Sequence, residues 1–509
     1  MTSSPEPVVV VGAGPVGLVT AGLLARRGVA SVVLERHREP YLLPRAVHLD
    51  GEAVRVLQAL GLAEAFGRIS RAAPGMRLLD AAQEVLVDFP TGARGADGFA
   101  EANLFHQPDL EALLRDHVAG SPLIDLRSGW EVVALHGRGP VVVEARDPDG
   151  RDHEFRAAAV LGCDGTDSFV RRHIGAPLRD LHFEERWQVV DLRSRVPLPL
   201  WGGVHQLCDP ARPATLMHVT GDRYRWEFRL GALGQQTAEQ ESAETSAALH
   251  HLLARWVPPQ LRPGVEFIRS AAYIFRARVA SRWRDGRILL LGDAAHQTPP
   301  FIGQGLGAGL RDAANVSWKL AAVLGGADDA LLDSYEAERR AHVTTTTRGA
   351  VLIGWALTGG QDRAAAVRRV VTTGLGRVPG LPQLAAGAAS PRLGRSRLLA
   401  RANRPGDPVG RTCPQPQVRL DGSGGTADVR IGQLDSLLGD GWALLTRGGT
   451  GGAGLTRANV RHLEVEALST IAGPDLRTWM RRRALRAMLV RPDRIVAAVN
   501  GTALRLAAP

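Results

Sequence analysis

The chain has 509 residues, of which 45% are hydrophobic and 22% charged, with 58 Gly and 31 Pro. These proportions exclude a disordered, collagenous or disulfide-scaffold protein, and the length predicts two or three domains. The formal charge of +10 comes from scattered arginines, with Lys319 the one lysine, and aromatics are only 5%, so nucleic acid is not an expected partner.

Cys163, Cys208 and Cys413 are odd in number and far apart, which predicts reduced thiols and a cytoplasmic location. Residues 8–25 carry no charge, but Gly12, Gly14, Pro15, Gly17 and Gly22 interrupt them and no basic residue precedes them. That stretch reads neither as a signal peptide nor as a membrane span, and no membrane association is expected.

In chain order, residues 8–11 form a β-branched run expected as a strand buried on both faces. A helix over 18–27 ending at Gly28 and a strand over 30–34 complete a βαβ unit. A helix over 51–60, a hairpin over 76–89, a helix over 110–118, and strands over 131–144 and 154–161 follow. From about 183 to 273 apolar and polar residues alternate, which predicts a separate antiparallel sheet. A buried strand begins at Arg287, and helices are expected over 310–324 and 331–343. Residues 358–409 are rich in Gly, Pro, Ala and Arg and read as a loose connector. The last hundred residues show short strands in GWALLTR and RIVAAVN, with a helix over about 476–489.

Gly12-Ala13-Gly14-Pro15-Val16-Gly17 is a GxGxxG between strand and helix. Its glycines permit a tight turn, close approach to a pyrophosphate and close helix packing, and the helix start favours phosphate. Glu35 ends the next strand, where an acid accepts from a ribose hydroxyl; Glu rather than Arg argues against a 2′-phosphate on this nucleotide. A second signal is Gly292-Asp293-Ala294-Ala295-His296, followed by Pro299, Pro300 and the glycines 303, 305, 307 and 309. An acid after a buried strand, ahead of a glycine-rich helix start, fits the far end of a longer cofactor, where the helix dipole stabilises negative charge.

Together with Cys163-Asp164-Gly165-Thr166-Asp167-Ser168-Phe169-Val170-Arg171, these motifs resemble the class A FAD-dependent aromatic hydroxylases of the p-hydroxybenzoate hydroxylase superfamily, across at least residues 5–345. Residues 44–62 and 105–117 are similar to the branch of 3-(3-hydroxyphenyl)propionate hydroxylases and polyketide-tailoring monooxygenases. The resemblance implies an α/β fold: a Rossmann-like FAD-binding domain (1–180 plus 275–357), an inserted antiparallel-sheet substrate domain (181–274, with part of 70–105), a helical connector (358–404) and a thioredoxin-like C-terminal domain (405–509). The last contains no CxxC, so thioredoxin chemistry is not expected.

Carried over residue by residue, the resemblance implies FAD contacts at Gly12, Gly14, Pro15, Val16, Glu35, Arg36, Arg45, Gln107 and Val132, with Asp164 near the pyrophosphate. Asp293, Pro300, Gly303, Gly305, Leu306 and Gly307 would hold the ribityl and flavin portions; Gly307 stands where the family often has Asn. His218, Trp226, Tyr273 and Pro299 are expected along the substrate pocket. NADPH or NADH would reduce FAD, and O₂ would give a C4a-hydroperoxide that hydroxylates a phenolic or polyketide-type aromatic, as in antibiotic biosynthesis. Epoxidation, or oxidative rearrangement or inactivation of a complex natural product, is the alternative, and a homodimer is compatible with either. No catalytic side chain is assigned because the flavin carries the chemistry. His296 is expected to pack rather than form a dyad with Asp293, Ser168 lacks the surroundings of a nucleophile, and no histidine has metal-ligand spacing.

Overall fold

Four β-branched residues in succession leave no face for water, and in the computed structural model Val8–Val11 is at most 6% exposed. The structure describes residues 6–209, 211–230, 253–358, 390–402, 404, 406–420, 430–448 and 460–507. Val8–Val11 lies inside a six-stranded sheet of order Arg284–Asp285, Ile288–Leu290, Ala159–Gly162, Val8–Val11, Ser31–Glu35, Ile124–Ser128. Every neighbouring pair is parallel except the first, a short hairpin. The first helix, Pro15–Ala25, starts three residues earlier than expected because Pro15 is pre-set for the first helical position. Gly28, at φ +75°, then turns the chain into the second strand.

A second sheet of eight strands runs in the order His296–Gln297, Val265–Ala280, Leu178–Ser194, Arg223–Arg229, Ala214–Thr220, Val204–Leu207, Gly75–Leu79, Val85–Pro90. Its two longest strands have 17 and 16 residues and overrun both ends of the 181–274 segment. The meander Glu131–His136, Val141–Arg146, Asp152–Ala157 forms a small sheet of its own.

Two helices are longer than the sequence pattern predicts. Gly305–Leu324 begins at the glycines that read as a turn. Asp333–Thr358 continues well past residue 343. There Thr344, Thr345 and Thr346 donate their hydroxyls to the carbonyls four residues back, at 2.7, 3.0 and 3.1 Å, which satisfies these hydroxyls within the helix.

Toward the C-terminus, Val460–Glu464, Trp442–Thr446, Ala487–Val490 and Val496–Val499 form one sheet with one parallel and two antiparallel pairs. Helix Asn500–Ala507 packs on it, giving a thioredoxin-like arrangement. The helix expected over 476–489 stops at Arg482; Ala484 adopts φ 53°, and Ala487–Val490 is a buried strand instead. Most of the expected connector, residues 359–389, lies outside the described residues. Among the described residues no helix is long and apolar enough to cross a membrane, and no His, Cys, Asp or Glu cluster could hold a metal ion.

Candidate active site

The first glycine motif is built on contacts that admit no side chain. Gly12 sits at φ +102°, and a Cβ there would lie 2.5 Å from the Cys163 carbonyl oxygen; one on Gly17 would lie 2.0 Å from the Gly12 carbonyl oxygen. Gly14 faces open space. Glu35 reaches into this turn: Oε2 accepts from the Ala13 N–H at 2.8 Å and Oε1 from the His37 N–H at 2.9 Å. Arg36, exposed beside it, donates to His37 at 3.2 Å. Val132 is buried in the core nearby.

Gln107 opens the helix Gln107–Ala119 and turns its amide toward the segment carrying Arg45. Its Oε1 accepts from the N–H groups of Arg45 (3.1 Å) and Ala46 (2.6 Å), while Nε2 donates to Glu111 at 2.7 Å. The Arg45 guanidinium lies 4.9 Å from the Tyr41 ring centre. Asp164 accepts from the Ser168 hydroxyl (2.5 Å) and the Val170 N–H (3.0 Å), organising the start of Phe169–His173; Ser168 caps that helix.

Asp293 opens onto a cleft yet is surrounded by protein, and desolvation raises its carboxyl above the ordinary value, opposed by the charges of His296 and Arg45. His296 makes no pair with Asp293. It is fully buried, stacks on Trp283 at 5.4 Å and bonds Asp312 at 2.8 Å. Asp312 also accepts from Arg339 (2.8 Å) and from the Gly292 N–H (3.1 Å). Burial pushes its carboxyl up, but Arg339 and His296 outweigh burial and leave it lowered. Asp312 therefore holds the second glycine motif in place. No residue pattern near Gly292 announces it, because it arrives one helix later.

The two motifs meet at Val16. A Cβ on Gly292 would stand 3.1 Å from the Val16 side chain, and one on Gly309 only 2.5 Å. Gly303 turns the chain at φ +62° against His48, and Gly305 begins the helix behind it. Leu306 and Pro300 are half-buried, Gly307 is buried beside Arg311, and Pro299 is buried ahead of them. Two glycine turns, two helix starts and an acid beside each make a cradle suited to a long, phosphate-bearing cofactor such as FAD.

The large sheet faces this cradle with one side only. Arg225 donates to the carbonyls of Pro44 (2.7 Å) and Arg45 (2.9 Å), and it joins Arg269 on Asp191. Tyr273 shares that side, accepting from Arg269 at 2.8 Å, and burial raises its phenol above the ordinary value. Trp187, on the same side, packs on Phe301 with ring centres 5.8 Å apart. Trp226 and His218 do not take the pocket positions expected of them. Trp226 is fully buried in an apolar cluster on the opposite side of the sheet, and His218 stacks on Tyr224 there at 4.6 Å. The aromatic row of RYRWEFR makes core, and the charged row turns toward the cradle. Its partners around Pro44 are what bury the charged row.

Residues 6–350 match the family described as FAD binding domain. A probable NADH-specific resorcinol 4-hydroxylase of Rhodococcus jostii (strain RHA1) is 37% identical over 349 residues, 68% of this chain and 64% of its own, so the match spans less than two thirds of that relative. A 3-(3-hydroxy-phenyl)propionate/3-hydroxycinnamic acid hydroxylase of Burkholderia vietnamiensis (strain G4 / LMG 22486) is 31% identical over 527 residues, 96% of this chain and 93% of its own. Among solved structures, aklavinone-11 hydroxylase in complex with FAD and aklavinone superimposes with a TM-score of 0.78 at 25% identity, covering 99% of this chain and 98% of that one. The chain belongs to the FAD binding domain family of FAD-dependent aromatic hydroxylases.

Proposed function

We propose that the protein is an FAD-dependent monooxygenase that hydroxylates a phenolic or polyketide-type aromatic ring. The observation that carries this reading is the junction at Val16, where Gly292 and Gly309 bring the second motif against the first. A cofactor with one nucleotide end alone does not need the second motif.

Bound FAD supplies the redox chemistry: it takes electrons from NADH or NADPH and activates O₂ for transfer to the ring. The chain's own groups bind and shield. Glu35, Arg36 and Val132 lie where the adenosine end would rest, and Gly12, Gly14, Pro15, Val16, Arg45, Gln107 and Asp164 surround the pyrophosphate course. Asp293, Pro300, Gly303, Gly305, Leu306 and Gly307 would hold the ribityl chain and ring system. Trp187, Phe301, Tyr273 and Pro299 close the substrate end against water, which protects the activated oxygen from loss as H₂O₂. The three free thiols suit a cytoplasmic location.

The test is NAD(P)H oxidation by the FAD-loaded protein with resorcinol, 3-(3-hydroxyphenyl)propionate and an anthracyclinone such as aklavinone, with hydroxylated product and H₂O₂ measured together. Product formed in step with NAD(P)H loss for one of these is the expected result. A protein that retains no FAD after reconstitution overturns the reading.

A further inference from the structure

The charged row that faces the cradle contains two groups whose hydrogen bonds its neighbours do not complete, the Arg269 Nε and the Glu227 carboxylate. Arg225 gives Nε and Nη2 to Asp191 at 2.7 and 3.1 Å, and gives its remaining contacts to the carbonyls of Pro44 and Arg45. Arg269 likewise serves Asp191 (2.6 Å), the Pro44 carbonyl (2.8 Å) and the Tyr273 hydroxyl (2.8 Å). Glu227, two residues from Arg225 on the same side and 8% exposed, is left out. Its nearest cation is Arg225 Nη1 at 3.8 Å, beyond hydrogen-bond reach, and no hydrogen bond to its carboxylate occurs among the described residues. Its carboxylate oxygens keep some solvent access, unlike the enclosed and unpaired Arg269 Nε, and a largely buried carboxylate that is open to a donor yet holds none calls for an explanation.

Its place in the sheet supplies one. Glu227 pairs across the ladders with Val189 and Thr215, and Trp187 is the next residue on that side along the strand from Val189. Trp187 packs on Phe301, just ahead of the glycine helix. The carboxylate thus lies between the Arg45 segment and the Phe301 turn, on the side of the sheet that confronts the cofactor cradle.

We propose that Glu227 is a catalytic residue whose carboxylate accepts the hydroxyl of a phenolic substrate and takes its proton. This rests on the hydroxylase reading above. The phenolic O–H bond breaks, an O–H bond forms on the carboxyl, and the electron pair stays on the phenol oxygen, enriching the ring. No group is oxidised or reduced in this step; O₂ and NAD(P)H enter through the hydroxylation it prepares. Burial raises the Glu227 carboxyl, Arg225 and Arg269 pull it down and Asp191 pushes it up; the outcome is a raised value, closer to that of a phenol. Further along the same side stand Tyr273 and the Arg229–Glu185 pair, 3.3 Å apart, and Arg45 belongs to the segment opposite.

The experiment compares FAD-loaded wild type, Glu227→Gln and Glu227→Asp in steady-state turnover of resorcinol and 3-(3-hydroxyphenyl)propionate, from about pH 6 to about pH 10, where phenols ionise in solution. Flavin content and Tm are recorded for each. Glu227→Gln is expected to lose about 10²-fold in kcat at neutral pH with little change in KM, and to recover as the phenolate forms unaided. Glu227→Asp is expected to keep most of the activity. Unchanged kcat in Glu227→Gln, or a loss equal at every pH with FAD fully bound, overturns the assignment. If Glu227→Gln does not fold, the Asp variant decides: a rising limb moved to lower pH with most of the maximal activity kept supports the role, and a limb that coincides with wild type overturns it. A wild-type protein that binds FAD but responds to no phenol removes the hydroxylase reading itself, and Glu227's role with it.

Discussion

At Gly12 a single added carbon meets the Cys163 carbonyl at 2.5 Å on backbone already at φ +102°, so Gly12→Ala has no strain-free solution. Gly12→Ala is expected to purify with most of its FAD missing, measured as flavin per polypeptide after gel filtration. Glu35 acts through two charge-assisted hydrogen bonds, one from the turn at Ala13 and one from the His37 N–H that fixes its own position. Glu35→Arg removes them and puts a cation there, at a cost of about 1.5–3 kcal/mol per hydrogen bond to a charged group, or roughly ten- to a hundredfold in FAD dissociation constant. FAD retention equal to wild type would show that this acid does not serve the cofactor. Residues of this kind are legible in sequence because backbone geometry demands them at fixed spacing. Asp191, Arg225 and Arg269 are not, since Asp191 is held by the two arginines and these donate to backbone carbonyls at Pro44 and Arg45, far away in the chain, and nothing local distinguishes them from a solvated face.

Among the elements, the helix Gly305–Leu324 sets the electrostatics of the cradle's far end. A helix terminus contributes about 0.3–1 kcal/mol to a nearby charge when exposed and up to about 2 when partly buried. For a two-electron couple 30 mV corresponds to about 1.4 kcal/mol, so the expected influence on a bound flavin is a few tens of millivolts. A Cβ on Gly307 would stand 2.9 Å from Arg311 Nη1 and 3.7 Å from Ala53. Gly307→Val is therefore expected to shift the helix start, make FAD harder to reduce and raise the share of NAD(P)H lost as H₂O₂. An unchanged midpoint potential with unchanged coupling would show that this helix does not address the flavin. The element types along the first 350 residues follow from hydrophobic period and glycine placement, and the ends do not. The glycine helix starts inside an apparent turn because it packs directly on Val16, and the threonine run, whose hydroxyls bond the carbonyls four residues back, stays helical against its local preference.

At the scale of the molecule, the C-terminal portion is fastened by buried charge. Arg491 grips Glu338 of the long helix at 2.7 and 2.9 Å, Lys319 donates to the same carboxylate at 2.8 Å, and Arg55 reaches Asp435 at 2.6 Å and the Cys413 carbonyl at 2.5 Å. A cavity of about 340 Å³ lies in this seam, lined by Arg27, Arg55, Asp435, Trp479 and Arg494 among others. Breaking one partner of a buried pair costs about 3–5 kcal/mol, so Arg491→Met and removal of residues 410–509 are both expected to lower Tm sharply. Cys413→Ser should leave turnover intact, since burial pushes that thiol up to about 12 and makes it unreactive. Loss of turnover with FAD still bound would contradict this. The same cluster predicts a pH dependence. Desolvation, with Arg491 adding to it, lowers Lys319 from 10.5 to about 7 against the pull of Glu338. Between those values the unfolded chain holds a proton that the folded one has released, so stability attributable to this group rises with pH across the window. Lys319→Met should flatten that part of a Tm-against-pH curve.

The same lysine has a practical side. It is the sole lysine in the sequence and fully enclosed by its partners. In the native fold, amine-directed labels and amine-to-amine cross-linkers find no lysine side chain to react with, and a lysine-specific protease finds no accessible site. Uptake of an amine-reactive dye at Lys319, read by peptide mapping so that the α-amino group is counted apart, then reports opening of the seam between the long helix and the C-terminal portion, with no background from any other lysine.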